Sequence, residues 1–200
     1  MNKIKNDEIK NDNKTKNIKI FYIVFIIFLG IFYRLIPHPP NFSPLYSISV
    51  FSSILPIELN NKYAKYISFL IPIFILFITD LILSVHKTMI FNYFAFLSIS
   101  LFSYFIFNKY NNFSRQITGV ILSLISSIWF FIVSNFGVWL LSNMYSKDIQ
   151  GLLTCYINAL PFLGNSLISS IIFSIIIFYS YELIINVFLK GKDVKNVELN

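Results

Sequence analysis

From Ile20 to Leu189 the chain is a succession of apolar runs separated by short polar turns. A run of roughly 20 apolar residues is long enough to cross a bilayer. Within hydrocarbon, a helix is the structure that lets a single segment satisfy all its own backbone groups. The pattern places helices at about 20–36, 45–57, 66–85, 89–107, 117–141 and 166–189. Five of these can cross at 1.5 Å per residue. The second has only about 13 clearly apolar residues, so it either extends to 42–59 or is a short helix sunk among its neighbours. Between the last two, IQGLLTCYINALPF (149–162) is apolar but contains Gly151, Asn158 and Pro161, which predicts a re-entrant or interfacial helix. The expected fold is all-α, a polytopic membrane bundle of about six helices.

Composition agrees. With 56% hydrophobic and only 12% charged residues, the chain is far from a soluble domain, where about 25% are charged. The net charge of +7 could suggest nucleic acid. Its basic residues flank apolar runs instead of forming a groove, so orientation in a lipid bilayer explains them better and no nucleic acid is expected. A single cysteine, Cys155, excludes an internal disulfide framework and a cysteine-based zinc site. Residues 1–19 are polar, basic and aperiodic, and read as a disordered cytoplasmic tail. No small-x-small cleavage site follows the first run, which therefore reads as an uncleaved span. The membrane domain is expected over 20–189, with a second cytoplasmic tail at 190–200.

Lysine and arginine set the orientation. With six crossings and the N-terminus inside, six tail lysines join Lys62, Lys65, Lys109, Arg115, Lys190, Lys192 and Lys195 on the inner side. Only Arg34, Lys87 and Lys147 fall outside, three of the 16 basic residues. That bias predicts N-in and C-in, with the N-terminus cytoplasmic.

Several unusual residues then gather at the outer face. RLIPHPPNFSP (34–44) supplies Arg34, His38 and Asn41. Asp80 lies near the end of the third span, with His86 in the turn beyond. Asn135 and Trp139 belong to the fifth span, and Tyr156 and Asn165 to the segment after it. Each has a plainer explanation. Arg34 could snorkel to headgroups, the histidines could be interfacial, Asn135 could bond a neighbouring helix, and Trp139 and Tyr156 could form an aromatic belt. Asp80 resists this treatment, because a lone carboxylate within a span costs about 2.5–3.5 kcal/mol. Arg34, His86 and Lys87 are its candidate partners. The gathering on one face predicts an outward pocket for a small molecule. The inner half is plainer, with Glu182 as its main polar residue and a basic neighbour as its expected partner.

RLIPHPPNFSPLYSISVFSS (34–53), the TD of ITDLILSVH (78–86), SNFGVW (134–139) and GLLTCYINALPFLGNSL (151–167) resemble an uncharacterised family of small bacterial integral membrane proteins. That family is similar in turn to the S components of energy-coupling-factor vitamin transporters. The resemblance implies a six-helix protein that holds a vitamin or metal ion near the outer surface. Such a protein hands its cargo over by toppling against a coupling membrane protein driven by two ATPases. By position, Arg34, Asn41, Asp80, Asn135, Trp139 and Tyr156 would line or brace the pocket. The chain departs from its relatives at Ser52, Ser53 and Ser166, and Gly30 is the one small residue of span one suited to close helix packing.

The function expected is therefore a substrate-binding subunit for uptake of a small, vitamin-like solute. No G-x-x-x-x-G-K-[ST] loop is present, so ATP-driven transport would need partners. A structural or assembly role is the alternative. Enzymatic use of Asp80 and His86 is weaker, since six residues advance a helix by about 600° and leave the two on different faces. No catalytic motif accompanies them, and neither a cofactor nor a metal is expected.

Overall fold

The computed structural model describes residues 2–59, 64–110 and 114–197, with side chains over 13–59, 66–110 and 114–188. Seven helices occur among the described residues, with no strand: α1 (Asn2–Leu35), α2 (Leu45–Ser52), α3 (Leu55–Glu58), α4 (Ala64–Leu83), α5 (Met89–Lys109), α6 (Arg115–Leu141) and α7 (Ile149–Val197). Five contain segments long and apolar enough to cross a membrane, namely Asn13–Leu35, Tyr66–Leu83, Met89–Lys109, Arg115–Leu141 and Ile149–Phe188.

The sixth place in the expected bundle is filled differently. Leu45 to Glu58 spans about 21 Å at helical rise, short of the roughly 30 Å of hydrocarbon. Every residue of α2 is buried, with α1, α4, α5, α6 and α7 all in contact with it. Of the two alternatives for this run, the sunken helix is the one formed. Serine makes the central position possible. Ser47, Ser49 and Ser52 on α2 and Ser53 at its C-cap are fully buried, as are Ser100, Ser123 and Ser170 on surrounding helices. Small side chains let helix backbones approach closely inside a membrane. Their hydroxyls remain satisfied: Ser49 Oγ donates to Leu45 O at 2.7 Å, and Ser53 Oγ to Val50 O at 2.6 Å. Two serine bonds tie α2 outward, from Ser47 Oγ to Ser170 O at 3.2 Å and from Ser100 Oγ to Ser49 O at 3.3 Å. Pro56, in the first turn of α3, lacks the N–H that would continue α2, so the two short helices stay separate.

At 149–162 the structure corrects the expected re-entrant segment. That run and the last span form one continuous helix, α7, with Pro161 inside it. Gly151 falls in the first turn, where its N–H bonds Asp148 Oδ1 at 2.7 Å, so it belongs to a helix start and not to a break. Proline is tolerated in membrane helices when a neighbouring helix supports the backbone, and α6 packs extensively along α7. The apolar part of α7, Ile149–Phe188, has 40 residues, about 60 Å and so twice the hydrocarbon thickness.

The ends also differ from expectation. α1 begins at Asn2, within the segment expected as a disordered tail, and α7 continues to Val197, within the expected C-terminal tail. Neither stretch contains a proline, so nothing in the backbone chemistry stops the adjoining helix there.

Two polar ends result. The connections 36–44, 84–88 and 142–148 lie with Arg34 at one end of the bundle. Glu58, Lys19 and the N-terminus of α6 lie at the other.

Candidate functional site

At the Arg34 end, the last turn of α1 brings its arginine to α4. Arg34 Nη2 donates to Asp80 Oδ1 in an ion pair, and Tyr93 OH of α5 donates to Asp80 Oδ2 at 3.0 Å. Asp80 is only 3% exposed. Of its three candidate partners, Arg34 is the one in contact. Tyr93 was not among the expected site residues. Arg34 Nε is also buried and has no hydrogen-bond partner among the described residues. The site thus holds a satisfied carboxylate and a guanidinium with an unfilled donor.

The segment following α1 forms a stiff turn. Phe42 N–H bonds Pro39 O at 3.0 Å, with Pro40 at the second position and Asn41 at the third. Asn41 has φ 60°, the left-handed region. This is a type II turn, and asparagine tolerates the conformation it requires. Asn41 O accepts from Tyr46 OH at 3.3 Å. Pro40 O accepts from Asn165 Nδ2 at 3.0 Å, which pins the turn to α7. Tyr46 OH also meets Ser166 Oγ at 3.1 Å. His38 Nδ1 lies 2.7 Å from Ile36 O, with its ring 5.1 Å from that of Tyr33.

Asn135, Trp139 and Tyr156 form a second group, on α6 and α7. Asn135 Nδ2 donates to Phe131 O at 2.8 Å, within its own helix. Tyr156 OH donates to Ile132 O at 2.6 Å, joining α7 to α6. Trp139 Nε1 donates to Ser146 O at 2.9 Å, and Lys147 Nζ stands 5.9 Å from its ring centroid. Gly151 N–H, in the first turn of α7, and Ser146 Oγ, in the turn before it, both donate to Asp148, and these bonds hold its carboxyl below the usual carboxylate range. His86 stands apart: its Nδ1 meets Thr88 Oγ1 at 2.7 Å, and its N–H points to Met89 Sδ at 3.0 Å. An Asp80–His86 pair is not assembled.

A further cluster at the opposite end was missed. Glu58 receives Lys19 Nζ at 2.9 Å and Tyr181 OH at 2.8 Å on Oε2, and Arg115 Nη1 on Oε1. Lys19 also reaches Glu58 O at 2.8 Å. One carboxylate therefore fastens α1, α3, α6 and α7. Beside it lies a cavity of about 310 Å³ lined by Glu58, Arg115, Tyr181 and Glu182, among others. Glu182 bonds Gln116 Nε2, not the basic partner expected. The available signal was Glu58 itself, one of only four acids between Asp12 and Asp193.

Five long apolar helices around a buried sixth element define a multi-pass helical membrane protein. Within that class, the chain belongs to a family of unknown function, DUF6580, whose match covers residues 14–192. No curated protein and no solved structure matches it.

Proposed function

We propose that this protein is the solute-binding membrane subunit of an uptake system, holding a small vitamin-like molecule at the Arg34 end. The positive-inside bias turns that end outward. The observation that carries the reading is the Arg34–Asp80–Tyr93 set, in which Asp80 is buried and its two partners half-buried. Replacing a buried ion pair with apolar residues of similar volume is often neutral or stabilising, so stability alone does not account for charges here. Arg34, in the last turn of α1, also keeps an unfilled donor. Transport powered by ATP would come from a coupling membrane protein with ATPase subunits, because this chain has no phosphate-binding loop.

Equilibrium titration of the purified protein with water-soluble vitamins tests this reading. The informative control is the double substitution Arg34→Met/Asp80→Leu, which removes both charges while keeping volume. Saturable binding in the wild type, lost in a double variant that melts normally, is the expected result. A double variant that binds as well as wild type would refute the site.

One observation favours a structural role instead. Asn135, Trp139, Tyr156 and Asn165 all direct their side-chain donors to backbone carbonyls of the chain itself. Under that reading, Asp80→Asn lowers the melting temperature and leaves solute uptake by cells unchanged.

A further inference from the structure

The face of α1 turned away from the Arg34–Asp80 pair meets α7 along a long apolar groove of about 670 Å³. Its walls include Phe21 and Phe25 of α1 and Ile184 and Phe188 of α7. Three of these rings stand open, with Phe21 74%, Phe25 54% and Phe188 44% exposed. The floor offers no hunger for polar groups, because Tyr22 OH donates to Ile177 O at 2.6 Å and meets Ser180 Oγ at 2.8 Å. At the mouth is a cation. Lys14 lines the groove, with its Nζ 5.8 Å from the Phe188 ring centroid. Lys19, one turn further along, is already held by Glu58. Lys14 has no ion-pair partner among the described residues.

We infer that this groove is a binding site for an anionic phospholipid, with the phosphate at Lys14 and one acyl chain between α1 and α7. Dimensions support that occupant. Lys14 to Phe25 is 11 residues, about 17 Å at helical rise, and one leaflet of a hydrocarbon core of about 30 Å is roughly 15 Å deep. The groove is therefore one acyl chain long, with its single charge at the end where a headgroup sits. A partner helix would extend along both leaflets, and the lysine would gain nothing from an uncharged one. Basic residues beside membrane helices attract anionic headgroups through the same Coulomb term.

Native mass spectrometry of the full-length protein tests the site. The protein is delipidated in detergent and then exposed to an equimolar mixture of phosphatidylglycerol and phosphatidylcholine. Wild type should retain one phosphatidylglycerol preferentially. Lys14→Gln should cut that preference about fivefold, the factor equivalent to one lysine near an anionic surface. Ile184→Trp, which fills the groove, should remove retention of either lipid. Each variant is first checked for wild-type helicity and melting temperature, and Ile18→Trp replaces Ile184→Trp if the latter fails. No phosphatidylglycerol preference in wild type would overturn the proposal. So would unchanged retention in the groove-filled protein, or a dimer in place of bound lipid.

Discussion

Removing Arg34 would leave Asp80 as an unpaired carboxylate, 3% exposed, with Tyr93 as its remaining donor. Breaking a buried pair from one side costs about 3–5 kcal/mol. Arg34→Ala should therefore lower the melting temperature in detergent sharply, while Arg34→Met/Asp80→Leu should recover most of the loss. Equal melting of the single and double variants would show that the pair is not buried as described. Asp148 calls for the opposite kind of test, because it is a solvent-facing turn residue. Its carboxyl titrates below the usual range, so its contribution is present above the unfolded value of about 3.9. It is lost as pH falls through the lower folded value. The melting difference between wild type and Asp148→Ala should hold from pH 7 to about 5 and close below about 4. A difference independent of pH would exclude the charge as the cause. That Asp80 has a partner was legible because a carboxylate in an apolar run demands one, but Arg34 was one of three candidates. Tyr93 was not, since a tyrosine in an apolar span looks the same whether it lines a belt or bonds an acid.

Helix packing decides which elements could be read from the pattern of residues alone. The shortness of the second run left a longer span and a sunken helix both open, and the serines at 47, 49, 52 and 53 are what allow the sunken one. The continuity of α7 was hidden, because Gly151, Asn158 and Pro161 have the composition of a break. The difference lies in α6, which supports the N-terminal turns of α7 through contacts such as Tyr156 OH to Ile132 O. That support is tertiary and leaves no trace in local sequence. Glycines along these helices give a graded test. A Cβ at Gly137 would stand 2.5 Å from the Phe91 ring, and one at Gly119 would stand 2.6 Å from Phe178. A Cβ at Gly164 would meet nothing within 4 Å. Gly137→Ala and Gly119→Ala should each cost about 1–3 kcal/mol through overpacking. Gly164→Ala should gain up to about 1 kcal/mol from helix propensity. Thermal melts of the three variants read this directly, and a stable Gly137→Ala would mean that α5 and α6 are further apart than described.

Across the whole molecule, α1 joins both polar networks. It reaches Glu58 through Lys19 and Asp80 through Arg34, with the buried α2 and the short α3 running between. Charge predicts which network faces the cytoplasm. By sequence, six crossings with the N-terminus inside put 13 of the 16 basic residues on the inner side and three on the outer. Basic residues translocate poorly, so this bias predicts that the Glu58 end is cytoplasmic. Single thiols can test the prediction without altering any charge. Met144, 75% exposed in the turn before α7, belongs to the Arg34 end, and Asn108, exposed near the end of α5, to the other. The native Cys155 is buried, which keeps the background low. In intact cells, a membrane-impermeant maleimide should label Met144→Cys and spare Asn108→Cys until the membrane is permeabilised. The reverse pattern would turn the Arg34 set toward the cytoplasm. Capture of an external solute there would then be ruled out, while the buried ion pair and its effect on stability would be untouched.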